Sequence, residues 1–296
     1  MKRRTFLQVS CATMAGLMAR PHWAMGDASV DDRISLATLT FRAQFPQTRI
    51  PNHPPVETLE LLDFPEFIAD TFHIHHVEAW SMHFESTEQS YLEEVRKRLE
   101  AANSRLINIQ VQDGHQLAGD DEDARQASLA RCKGWFDAAA TVGAMSARID
   151  LGQGTVEKAI LSFRELNDYA KEKGVMMLIE NHGGLTDDLD NIIAIHDALD
   201  SDNFDVVIDF GNFVGDKYEG IEKLIPYTTH TVAAKTQVFD EDWNHTSFDF
   251  GRCVRLCEEH GFRGIYSGMY WNPATETYDY NRIAQWMVDN IRENIS

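Results

Sequence analysis

Short apolar runs alternate with longer amphipathic stretches along most of this chain. The runs at 34–41, 76–82, 106–112, 146–152, 175–181, 204–210, 229–237 and 264–271 have the length and β-branched content of strands. The segments at 56–71, 88–103, 121–142, 155–173, 188–200, 218–225, 248–260 and 278–290 carry apolar residues at helical spacing. Strands and helices taken strictly in turn mark repeated βα units around a parallel sheet. Eight of each predict an α/β fold, a closed (β/α)8 TIM barrel. A doubly wound open sheet is the alternative, but it gives no reason for the count to stop at eight.

Local signals agree with these boundaries. Gly174 follows the basic turn Lys171-Glu172-Lys173, and Gly261 follows His260, both expected helix stops. Asp121 and the pair Asp187-Asp188 place acids at helix starts, where the helix dipole favours them. The proline-rich loop at 43–55 follows the first strand and reads either as a rigid flap over the barrel mouth or as surface covering.

The first 26 residues break the pattern. A basic head, the pair Arg3-Arg4 followed by Phe6-Leu7, an apolar stretch without acids and a small-residue site at Ala24-Met25-Gly26 read as a twin-arginine export signal. The expected mature chain is therefore a single domain at 27–296, periplasmic or secreted. No other stretch approaches the roughly 18 apolar residues of a membrane span. Removing the leader leaves 23 basic against 47 acidic residues, a formal charge of −24. Such a chain repels nucleic acid and anionic membranes, and it disfavours a phosphorylated substrate without a local basic pocket. Cys132, Cys253 and Cys257 have no framework spacing and read as packing residues.

Two strand ends carry the most chemistry. VMMLIENHGG at 175–184 and DVVIDFGNF at 205–213 are apolar runs that stop abruptly in acid, amide and glycine. Each reads as a buried parallel strand delivering a carboxylate to its carboxyl end, where barrel active sites sit. Alternation puts Glu180 and His182 on one face, Asp209 on the matching face of the next strand, and Ala233, Lys235 and Gln237 together on the seventh. If those faces point inward, Glu180, Asp209 and Lys235 converge. Glu180 and Asp209 are candidate ligands for a divalent ion, and Lys235 either stabilises an enediolate or pairs with one of these acids. Arg148 shares a face with Asp150 and can pair with an acid or grip substrate. Trp80 and Trp271 near strand ends suit stacking on sugar rings. His83 and His182 are candidate binders of substrate hydroxyls or proton carriers.

The stretches MLIENHGG, VVIDFGNF with YEGIEKLIPY after it, and VAAKTQVFD resemble the sugar phosphate isomerase/epimerase family of xylose isomerase-like barrels. The resemblance spans nearly all of the mature chain and is specific at strands five to seven. It implies one divalent ion (Mn, Mg, Co or Zn) held by a Glu, an Asp, a His and a Glu from strands five to eight, with the glutamates moving a proton beside a sugar carbonyl. Glu180 and Asp209 match the first two ligands, and Lys235 matches the lysine two residues after the histidine. Ala233 replaces the histidine, and Met269 replaces the second glutamate.

The expectation is a sugar isomerase/epimerase-like enzyme acting on a non-phosphorylated sugar, keto-sugar or glycoside by proton abstraction at Glu180, aided by Lys235. Two alternatives are an eliminating lyase and a degenerate barrel that binds saccharide or serves as a partner subunit without catalysis. The oligomeric state is not legible in the sequence.

Overall fold

The computed structural model describes residues 29–50, 53, 56–272 and 279–295; the expected leader at 1–26 and the start of the expected helix at 278 lie outside the described residues. Eight parallel strands close into a barrel in chain order. They are β1 (Ile34–Ala37), β2 (His76–Trp80), β3 (Arg105–Val111), β4 (Ser146–Ile149), β5 (Met176–Glu180), β6 (Phe204–Asp209), β7 (Thr231–Thr236) and β8 (Ile265–Tyr270). Eight helices follow them: α1 (Phe64–Phe72), α2 (Gln89–Ala101), α3 (Glu122–Val142), α4 (Val156–Lys173), α5 (Leu189–Leu199), α6 (Lys217–Leu224), α7 (Phe250–Glu259) and α8 (Tyr280–Asn294). β8 closes the ring on β1, with Ser35 opposite Ser267. No helix among the described residues is long and apolar enough to cross a membrane.

The alternation of each strand divides the core in two. Outward residues such as Met177, Ile179, Val206 and Ile208 pack with Phe136, Phe163, Leu166 and Ile192 of the helices. Inward residues Ala37, Trp80, Met176, Leu178, Val207, Ala233 and Met269 form a smaller cluster inside the barrel. That inner space is partly polar: Glu78 accepts from Asn108 at 2.7 Å and from Gln110 at 2.9 Å. The helix caps follow the acids: Asp121 accepts from Ala124 N, Asp188 from Asp190 N and Asp249 from Arg252 N. Gly174 ends α4 at φ +70, a left-handed conformation in which a side chain is strained. Cys132, Cys253 and Cys257 are buried thiols, as packing residues should be.

Among the boundaries that differ from the sequence expectation, two lie in the first βα unit. The first helix begins at Phe64 rather than at 56, because Pro65 fits only the first turn of a helix and would clash inside a longer one. The approach to it is irregular and turns at 61–63, with Leu59 N donating to Gln44 O at 3.1 Å. The first strand ends at Ala37 and tightens into a 3-10 turn over Thr38–Phe41. In that turn Thr38 and Thr40 accept from the backbone N–H groups of Trp80 and Tyr270, fastening the loop to β2 and β8.

Candidate active site

A cavity of about 260 Å³ opens at the carboxyl end of the barrel, lined by residues from β1 to β8. One wall is apolar, built from Leu39, Trp80, Met269 and Trp271; the other carries Gln110, Gln112, Arg148, Glu180, His182, Asp209, Asn212 and Lys235. Seven of the eight expected site residues therefore meet in one pocket: Trp80, Arg148, Glu180, His182, Asp209, Lys235 and Trp271 line it together.

His83 is the exception: it does not line the cavity. Its side chain is fully buried beside the pocket, its ring nitrogens at 2.8 Å from the hydroxyls of Thr38 and Thr48 and its ring stacked on Phe45 at 3.9 Å. Burial lowers its pKa to about 3, so it is a neutral brace between the first loop and β2. Its edge-to-face contact with Trp80, at 5.1 Å and 80°, instead positions that indole.

The charged wall consists of two ion pairs. Arg148 from β4 donates to Oε2 of Glu180, and both side chains are almost completely buried. Lys235 Nζ lies 2.9 Å from Asp209 Oδ2 and also donates to Asn212 Oδ1. Asp209 is fixed from two further directions: Gly211 N donates to its Oδ1 at 2.7 Å, and its own N–H donates to Asn181 Oδ1 at 2.8 Å. Gly211 has a steric reason to be glycine, since a Cβ there would lie 2.5 Å from Lys235 Cε.

Burial pushes the Glu180 carboxyl well above the ordinary carboxylate range; Arg148 and Lys235 pull it back, while Asp209 and Asp150 add to the rise. Burial works against the charge of Arg148 too, but Glu180, Glu78, Asp150 and Asp209 outweigh it and keep the guanidinium charged. His182 is held below its usual pKa, first by burial and then by Arg148 and Lys235, against the pull of Asp150. A buried Glu with a raised pKa beside two fixed cations is equipped to give and take a proton.

On the apolar wall, Trp80 and Trp271 meet edge to face, 6.3 Å apart at 89°. The Arg42 guanidinium lies 3.9 Å from the Trp271 ring centre and donates to Asn272 O at 2.8 Å, which fixes the indole from outside.

The four-ligand metal set implied by the resemblance does not fit these residues. Positions 233 and 269 are Ala and Met, both in the inner apolar cluster. The retained ligands are engaged by side-chain cations, Glu180 by Arg148 and Asp209 by Lys235. Among the described residues, the donors that do cluster are Asp150, Glu180 and His182, with one donor atom from each lying within 4.8 Å of the others. Sequence reasoning placed Asp150 only by its parity with Arg148 and gave it no role. Gln110, Gln112 and Asn212 were also missed; their signal is the same alternation along β3 and the turn after Gly211.

The xylose isomerase-like TIM barrel family model matches residues 69–290. The chain is similar to the solved structure of a D-allulose 3-epimerase from Methylomonas sp., at 10% identity and a TM-score of 0.67, covering 89% of this chain and 98% of that one. It is also similar to a xylose isomerase-like TIM barrel protein from Mycobacterium smegmatis in complex with magnesium, at 16% identity and a TM-score of 0.62, covering 89% and 98%. A third is the probable 3-DHS dehydratase AsbF of Bacillus anthracis, at 14% identity and a TM-score of 0.63, covering 87% and 97%. At these identities the likeness is one of fold. No curated protein matches the chain.

Proposed function

We propose, from the premise that the chain belongs to the xylose isomerase-like TIM barrel family, that it moves a proton at the carbon beside the carbonyl of a non-phosphorylated sugar or keto-sugar. The observation that carries this reading is Glu180: a buried carboxyl with a raised pKa, one oxygen held by Arg148 and the other without a hydrogen-bond partner. In the proposed reaction the Glu180 carboxylate removes the proton, and Lys235 with Asn212 faces the developing enediolate oxygen. Returning the proton to carbon gives an isomer or an epimer. Loss of a leaving group from the adjacent carbon gives elimination, the outcome named for the dehydratase of similar fold.

Size and charge narrow the substrate class. A cavity of about 260 Å³ lies just below the range of roughly 300–1,000 Å³ typical for drug-sized ligands and suits one sugar ring. The two lining cations already face carboxylates, so a phosphate dianion would meet no unpaired positive charge. The indoles of Trp80 and Trp271 offer a face for the C–H side of a ring, opposite the amides of Gln110, Gln112 and Asn212. The leader at 1–26 extends the proposal to export, which subcellular fractionation of the native protein tests.

The test is proton exchange in D2O against D-fructose, D-psicose and D-tagatose, and against 3-keto sugars, followed by NMR. Deuterium enters beside the carbonyl with the unaltered chain and not with Glu180→Gln. Full exchange in that variant sinks the proposal. Saccharide binding with no exchange by the unaltered chain favours the binding-only reading, to which the apolar Ala233 and Met269 point.

A further inference from the structure

Four carboxylates are gathered in and just below the barrel mouth: Glu78, Asp150, Glu180 and Asp209, each at most 5% exposed. Two cations face them, Arg148 and Lys235. With all four acids ionised, two negative charges are uncompensated in a largely dry site, where unpaired charge is costly. One oxygen of Asp209 accepts from Gly211 N and one oxygen of Glu78 accepts from two amides. The second oxygen of each is buried without a hydrogen-bond partner, with Lys235 Nζ 2.9 Å from Asp209 Oδ2 as an ion pair. On the β4 side, Oε1 of Glu180 and Oδ2 of Asp150 are buried and have no hydrogen-bond partner.

His182 straddles these two acids. Its Nδ1 lies 3.4 Å from Asp150 Oδ1 and its Nε2 lies 3.9 Å from Glu180 Oε1. Donors around one transition ion at bond lengths near 2.1 Å stand about 3–4 Å apart, and the widest separation in this group is within 4.8 Å. Closing the difference takes a small rotation, which the imidazole can make because its side chain is 36% exposed. The loop that carries it is pinned: Gly184 (φ +64) packs so tightly that a Cβ would lie 2.5 Å from Gly152 O, in the loop after β4.

We propose that Asp150, Glu180 and His182 form a site for a divalent transition ion, one strand removed from the ligand set that Ala233 and Met269 have broken. One imidazole and two carboxylates suit Mn or Zn better than Ca or Mg. A divalent ion would balance the four acids against Arg148 and Lys235 in the state in which all four are ionised. The ion would take one oxygen of Glu180 and leave the oxygen that Arg148 holds, with its second lone pair, for the proton. The inference rests on the reading of this cavity as the active site, but its test needs no sugar.

Mn(II) and Zn(II) chloride are titrated calorimetrically into the full chain stripped with chelator. One ion per chain is expected. Asp150→Asn and His182→Gln should each weaken it by on the order of 100-fold, and Asp209→Asn by less than about threefold. Spin-echo spectra of the Mn complex should show the nitrogen coupling of one imidazole, lost in His182→Gln. No binding at about 1 mM ion overturns the proposal. So does loss of the ion in Asp209→Asn with Asp150→Asn unaffected, which returns it to β6. If Asp150→Asn does not fold, His182→Gln, on a part-exposed side chain, carries the test. Sugar exchange by a chain that binds no ion would leave the proton-transfer reading standing and this one refuted.

Discussion

Arg148 on β4 donates to one oxygen of Glu180 on β5 and leaves the other to the cavity. The guanidinium thus fixes the orientation of the carboxyl and keeps a charged form accessible in a buried place. Arg148→Ala leaves that carboxyl buried and unpaired, a change that typically costs about 3–5 kcal/mol. Urea unfolding should show this loss at pH 7, together with a rise in the pKa of the acid limb of any exchange activity. A variant as stable as the parent would mean that the pair is solvated.

Lys235 is held between Asp209 and Asn212 at the end of β7. Lys235→Met keeps much of the side-chain volume and removes the charge. If the ammonium stabilises developing negative charge, kcat falls by on the order of 100- to 1,000-fold with little change in KM. Steady-state kinetics on whichever sugar exchanges most rapidly decides this. A rise in KM alone would reduce Lys235 to a binding residue.

Trp271 forms the part of the apolar wall that Arg42 braces. Trp271→Ala removes a stacking face, and with it about 0.5–1.5 kcal/mol beyond the buried area. The expected result is a KM raised roughly tenfold at nearly constant kcat, since ring stacking is alike in ground and transition states. Arg42→Gln should reproduce part of the effect by freeing the indole. A kcat effect of equal size would show that Trp271 also positions the reacting carbon.

His83 and His230 are buried as neutral imidazoles, with pKa values lowered to about 3 and about 4 by burial. Below the unfolded value of about 6.5 the unfolded chain takes up protons that these rings refuse, so their contribution to stability falls as pH falls. Each contributes a slope of up to about 1.4 kcal/mol per pH unit between roughly pH 6 and 4. Asp205, raised to about 6 by burial against four hydrogen bonds, works in the opposite sense between about pH 4 and 6. Its folded state keeps a proton that the unfolded chain has released. Glu180, also raised by burial, acts in the sense of Asp205, while His76, His182 and His245, lowered first by burial, act with His83 and His230. Urea midpoints measured from pH 7 to pH 4 should therefore fall with acid, and His83→Gln should flatten that slope by about one proton. An unchanged slope would contradict the brace assigned to His83.

The sequence alone determined the barrel, because eight apolar runs alternating with amphipathic helices leave few other ways to bury both strand faces. The same alternation put Glu180, Asp209 and Lys235 on inward faces, and the structure gathers these three in one cavity. Tertiary structure decided what those residues touch. Parity makes Arg148, Lys235, Glu180 and Asp209 neighbours without saying which cation faces which acid; the ring geometry pairs them across adjacent strands, β4 with β5 and β6 with β7. His83 looked like a mouth residue from its place after β2, yet the 3-10 turn at Ser81–His83 folds it under the first loop, between two threonine hydroxyls. Asp150 gained its significance only when His182 was seen to lie against it, because a loop side chain's direction is set by the turn that carries it and not by its spacing along the chain.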